Sequence, residues 1–102
     1  QSWNISRIKA AITTKINQSD AILVLVGEHA DTPHKDRYLI GYRNWQYFEI
    51  AQAKAAGKKI IAVKLDKGNS SPSLLYGCGA SWAMSFSLES IKAAIHRAQY
   101  GW

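Results

Sequence analysis

Cysteine is almost absent from this chain: Cys78 is the only one in 102 residues. An internal disulfide is therefore impossible and a cysteine-rich metal site is excluded, which fits a reducing compartment such as the cytoplasm. Long apolar runs are missing too. None approaches the ~20 residues that span a bilayer, and the longest, Ala21 to Val26, has the length of a strand. There are no internal repeats and no low-complexity tracts, and no membrane partner is expected. Acidic residues are few, seven against thirteen basic ones, for a net charge of +6. That surplus would suit a polyanion, but the cations are spread along the chain. Their densest knot, Lys54, Lys58 and Lys59, falls at a helix end, where positive charge suits the dipole. Nucleic acid is not an expected partner.

What is present is ordinary for a folded protein. With 47% hydrophobic and 20% charged residues the chain is too apolar to be disordered, and its length suits a single domain over residues 1–102. Ile5, Ile8, Ile12 and Ile16 share one helical face, with Asn4 as the expected N-cap. Ala21-Ile22-Leu23-Val24-Leu25-Val26-Gly27 has no polar alternation and reads as a strand covered on both faces, as in parallel sheets. Glu28 to Gly41 is polar, holds Pro33 and reads as a long loop. Asn44 caps a helix from Trp45, with Trp45, Phe48, Gln52 and Ala55 on one side, and Gly57 ends it. Lys59 to Leu65 is a second buried strand, and Asp66 to Ser73 is turn chemistry. Leu74 to Phe86 follows no clear pattern, beyond a short edge strand around Ser81 to Met84. Ser87 caps a last helix whose expected buried face is Leu88, Ile91, Ile95 and Ala98.

This alternation predicts an α/β fold, an open parallel sheet with flanking helices of the flavodoxin-like kind. Such domains usually start with a strand. Here the first element is a helix and the chain starts at Gln1, so at least one strand is expected before it.

In open parallel sheets, ligands gather beyond the carboxyl ends of the strands. That places Gly27, the loop after it and the segment Arg43-Asn44-Trp45-Gln46-Tyr47-Phe48-Glu49-Ile50 at the ligand edge. Glu49 is the sole acidic residue between Asp36 and Asp66, and it is the i+4 neighbour of Trp45. A carboxylate beside aromatic surface is partly desolvated yet can accept hydrogen bonds from a sugar diol. The simpler alternative is a solvated glutamate placed where the helix dipole favours an anion, and residue physics alone favours it. Trp45 reads as a residue packed at the helix start, or else as a pocket wall. Arg43 reads as an exposed loop arginine, or else as a phosphate contact. His29, Asp31 and His34 are too few, without further ligands, to predict a metal. Cys78 has no cation nearby in sequence to activate it, and Gly77-x-Gly79 lacks the strand-then-helix setting of a phosphate loop.

The order Asp20 to Gly27, then Arg43-x-Trp45-x-x-x-Glu49-Ile50-x-x-Ala53, then Gly57-Lys58-Lys59-Ile60-Ile61-Ala62-Val63 resembles the core of the TIR (Toll/interleukin-1 receptor) superfamily. It is closest to the TIR-like proteins of bacterial anti-phage defence, the Thoeris type. The resemblance runs from about Ile5 to Leu65. It implies a TIR-like fold whose first strand, and the loop after its second strand, lie outside this chain. It also implies an enzyme that cleaves NAD as substrate, without a cofactor or metal. Glu49 would be the catalytic residue, binding the hydroxyls of the nicotinamide-bearing ribose and stabilising an oxocarbenium-like transition state. Gly27, Arg43 and Trp45 would border the NAD pocket. Water as acceptor gives ADP-ribose, and an internal acceptor gives a cyclic nucleotide. Implied partners are further copies of the chain, a phage-derived trigger and a separate effector that senses the nucleotide. The rival readings are a non-catalytic module acting by homotypic assembly, and a flavodoxin-like nucleotide-binding regulator sharing only the fold.

Overall fold

A computed structural model describes residues 2–101. Helix α1 (Ser2–Asn17) leads into strand β1 (Ala21–Val26), followed by a one-turn helix α2 (Arg37–Ile40) and helix α3 (Trp45–Ala55). Strand β2 (Lys59–Lys64), a 3₁₀ turn (Ser73–Leu75), strand β3 (Ser81–Ala83) and helix α4 (Leu88–Tyr100) complete the order. The three strands form one parallel sheet in the order β1-β2-β3. Val24 lies opposite Ala62, and Ala62 opposite Trp82. This is the open α/β sheet that the alternation of elements predicts.

The helices divide between the two faces. Ile16 of α1 and Ile50 and Ala53 of α3 close over Val24, Val26, Ile60 and Ala62. Ala94 of α4, with Ile91 and Ala98 beside it, covers Ile61, Val63 and Ala83. Strand β2 is thus buried on both sides. Strand β1 is not: Val24 and Val26 are buried, but Leu23 and Leu25 on its other face are 50% and 42% exposed. The expected two-sided cover fails there because α4 lies over β2 and β3 and leaves β1 at the sheet's edge.

Local chemistry sets several boundaries. Asn44 caps α3 by accepting the Tyr47 N–H at 3.0 Å. At the other end Gly57 takes a φ of +69°, and the N–H groups of Lys58 and Gly57 return to Ala53 and Lys54 in a Schellman motif. Ser87 caps α4 by accepting from the Ser90 N–H. Other expectations need correction. Asn4 is not a cap, because α1 already includes it. Ile8 is exposed while Ile5 and Ile16 are buried, and the segment 28–41 contains α2 rather than loop alone. On α3 the buried residues are Tyr47, Phe48, Ile50 and Ala53, whereas Ala55 is exposed. On α4, Leu88 and Ile95 face outward, and Ala94, fully buried, makes the close approach to the sheet.

Candidate active site

Helix α3 carries most of the candidate residues, and its geometry distributes them. At ~100° per residue, Glu49 projects roughly 40° from the direction of Trp45, on the side of Gln46. Trp45 turns toward Ile5, Ile40 and Phe48, meeting the Phe48 ring edge-on at 5.6 Å. Gln46 turns toward the sheet, where its Nε2 donates to the Leu25 carbonyl at 2.6 Å. Val26 sends its own carbonyl toward β2, to the Leu65 N–H. The alternating pleat therefore aims the Leu25 carbonyl at the outer edge of β1, and Gln46 holds that edge. Glu49 stands between these two anchors. It is half-buried and makes no hydrogen bond or ion pair with the described residues. Burial pushes its carboxyl above the ordinary glutamate value.

Beyond the carboxyl end of β1 lies a cavity of about 420 Å³, bordered by Leu25, Gly27, His29, His34, Asn44 and Gln46 among others. No carboxylate lines it among the described residues. The amino end of α3 faces it, with the partial positive charge of that end. Its walls are held by cross-links that span the loop. Asn44 Nδ2 donates to the carbonyls of Ala30 and Thr32 at 2.9 and 3.0 Å. The His34 N–H donates to the Arg43 carbonyl at 2.7 Å. Tyr47 donates its hydroxyl to the Asp31 carboxylate and accepts the Ser73 N–H at 3.0 Å, joining this loop to the segment after β2.

The four residues singled out from the sequence end up in different surroundings. Gly27 lines the cavity. Glu49 sits one turn further along α3 and does not border it. Trp45 belongs to the apolar cluster between α1, α2 and α3, although its ring also meets the edge of His34 at 6.5 Å. Arg43 is turned onto Asp31, with Nε 2.7 Å from the backbone carbonyl and 3.5 Å from the carboxylate. This exposed pair contributes little to stability and engages Nε of the guanidinium. Gln46, Tyr47 and His34 were not singled out as site residues. The side-chain partners of Gln46 and Tyr47 lie 16 to 26 residues away, beyond the reach of helical periodicity, whereas the His34 ring takes the Asp36 N–H two residues on. Asp31 is taken by Tyr47 and Arg43, and no group of three His, Cys, Asp or Glu side chains is placed to hold a metal among the described residues.

A larger cavity, about 530 Å³, opens at the opposite end of the sheet between Lys58, Lys59, Cys78, Trp82 and Arg97. Its cations are already engaged. Lys58 Nζ reaches the last carbonyl of α1, Lys59 Nζ binds the Ala98 carbonyl at 2.6 Å, and Arg97 binds that of Trp82. Two of these bonds finish helix carboxyl ends. The cavity beyond β1, in contrast, coincides with the edge at which ligands gather in open parallel sheets.

Asn44→Ala is expected to cost about 1–3 kcal/mol, because it removes a helix cap and leaves two loop carbonyls without their donor. Urea melts measure the loss. Protease nicking between residues 28 and 36 should rise with it.

The chain is an open parallel α/β module with a cavity beyond the carboxyl end of its edge strand, the architecture in which ligands gather at the sheet edge. Within that architecture its family is specific. Residues 1–70 match the model of the family described as Thoeris protein ThsB, TIR-like domain, and the chain belongs to that family. It is an anti-phage defence TIR-like protein. No curated protein and no solved structure matches it. No helix among the described residues is long and apolar enough to cross a membrane.

Proposed function

We propose that this domain cleaves NAD between nicotinamide and ribose, with Glu49 as the catalytic carboxylate. The observation that carries this reading is the state of Glu49: half-buried, without a hydrogen bond or ion pair among the described residues, and raised by desolvation. Perturbed ionisable groups mark functional sites, and Glu49 lies one turn along α3 from Gln46, which borders the cavity. Membership in the TIR-like family supplies the reaction class.

In the reaction, the bond from the ribose anomeric carbon to the nicotinamide nitrogen breaks, and its electron pair leaves with neutral nicotinamide. Positive charge develops on the ribose. Ionised Glu49 accepts hydrogen bonds from the ribose hydroxyls and stabilises that charge, an interaction strengthened by partial burial. Attack by water, with loss of a proton to solvent, gives ADP-ribose. Attack by a nucleophile within the same molecule gives a cyclic product. Gly27 and the amino end of α3 would face the phosphates. No resident metal or cofactor is needed for this chemistry.

The product would be a signal for a separate nucleotide-sensing effector, released after a phage-derived trigger. Self-assembly belongs to the same reading. Leu23 and Leu25 form an exposed apolar face on an edge strand, the kind of surface that a second copy would cover. The test is incubation of the domain with NAD at high protein concentration, following nicotinamide and the mass of the nucleotide product. Nicotinamide release with a defined product supports the reading. A folded, assembled protein that leaves NAD intact would refute it.

A further inference from the structure

We propose that His34 holds the ligand through a hydrogen bond from its Nε2–H to a phosphate oxygen, in the cavity beyond β1. This inference rests on the dinucleotide reading above and assigns one residue of the recognition. The imidazole Nδ1 accepts the backbone N–H of Asp36 at 2.9 Å. An accepting Nδ1 carries no proton, so the neutral ring has its single N–H at Nε2. Nε2 makes no hydrogen bond with the described residues, and His34 borders the cavity together with Gly27 and Gln46.

The ring is also fixed in place. Its own backbone N–H donates to Arg43, and its carbonyl accepts from the Arg37 side chain at 3.2 Å. The Trp45 ring stands edge-on against it. A donor whose tautomer and orientation are set before binding loses little entropy when it engages a ligand. The cavity lacks a lining carboxylate among the described residues, so an anionic oxygen is the acceptor that suits it. Phosphate oxygens of a dinucleotide are anionic, and those of the ribose are not.

Two substitutions separate ligand binding from loop structure. His34→Asn keeps an oxygen that can accept the Asp36 N–H in an Asx turn, but it removes the distal donor. His34→Gln loses that short-range acceptor and restores an N–H donor near the Nε2 position. The experiment is NAD titration by calorimetry in a Glu49→Gln background, where turnover does not consume the probe, with each protein shown to be folded by its thermal melt. We expect His34→Asn to weaken NAD binding about tenfold or more and His34→Gln to recover much of the loss. The proposal is overturned if His34→Asn binds as tightly as its parent, or if His34→Gln binds no better than His34→Asn. In those cases His34 serves the loop alone and the dinucleotide reading stands. Absence of NAD binding by the parent itself would remove both.

Discussion

Ile50→Ala should lower the stability of this domain by about 2–5 kcal/mol, the range for emptying a buried isoleucine site. Ile50 has no exposed surface and sits with Val24, Val26, Ile60 and Ala62 where α3 meets the sheet. Domains of this size have a total stability of roughly 5–15 kcal/mol, so the loss takes a large share of it. Function should fall with stability, because the same helix carries Asn44, Gln46 and Glu49. Chemical denaturation measures the effect directly. A loss below about 1 kcal/mol would mean that α3 is not anchored through Ile50.

Glu49→Gln should act in the opposite sense on the two properties of the protein. Nicotinamide release is expected to fall by about 10²–10³-fold or more, the scale for removing a group that stabilises transition-state charge. The fold should become more stable at neutral pH. The sign follows from burial, which raises the native pKa of Glu49 above its unfolded value. The native state therefore binds the proton more tightly. This contribution to stability is fully present below the unfolded pKa and is lost as pH rises through the native one. Glutamine resembles the protonated acid and carries no such dependence. Thermal melts of the two proteins should nearly coincide at about pH 3.5, below the ordinary glutamate value, and the Gln variant should melt higher at about pH 7. Equal melting temperatures at both pH values would remove the desolvation argument for Glu49. A stable variant with lost activity is the pattern of a residue kept for chemistry at some cost to the fold.

The parts of this structure legible in the sequence are those set by short-range chemistry. Asn44 and Gly57 fix the ends of α3 through their own backbone preferences, and Ser87 starts α4 in the same way. The runs around Leu23 and Ile61 read as strands because no polar residue interrupts them. Strand β3 has only three residues in a glycine-containing segment, so periodicity marks little more than its place. Sequence and structure part where the outcome depends on what covers a surface. Leu88 and Ile95 fit a helical stripe as well as Ile91 does, but α4 meets the sheet through Ala94, whose small side chain permits close approach. An apolar strand likewise does not reveal that one of its faces is left open, as on β1.

The candidate site divides along the same line. Glu49 stands out in the sequence as the isolated acid one turn after Trp45, and Gly27 as the end of an apolar strand. The cross-links that build the cavity wall do not. Tyr47 reaches Asp31 and Ser73, Gln46 reaches Leu25, and Asn44 reaches Ala30 and Thr32. Each joins residues that only the folded chain brings together. Arg43 is exposed, in keeping with its reading as a loop arginine, but its contact with Asp31, twelve residues away, is a product of the fold.

The most direct test of the central claim is the rate of nicotinamide release from NAD by the assembled wild-type protein beside Glu49→Gln, at equal concentrations of folded protein. The account predicts measurable release by the wild type and a loss of about 10²–10³-fold or more in the variant, with its melting temperature undiminished. Equal release by both proteins would contradict the assignment of Glu49, and no release by a folded, assembled wild type would contradict the enzyme itself.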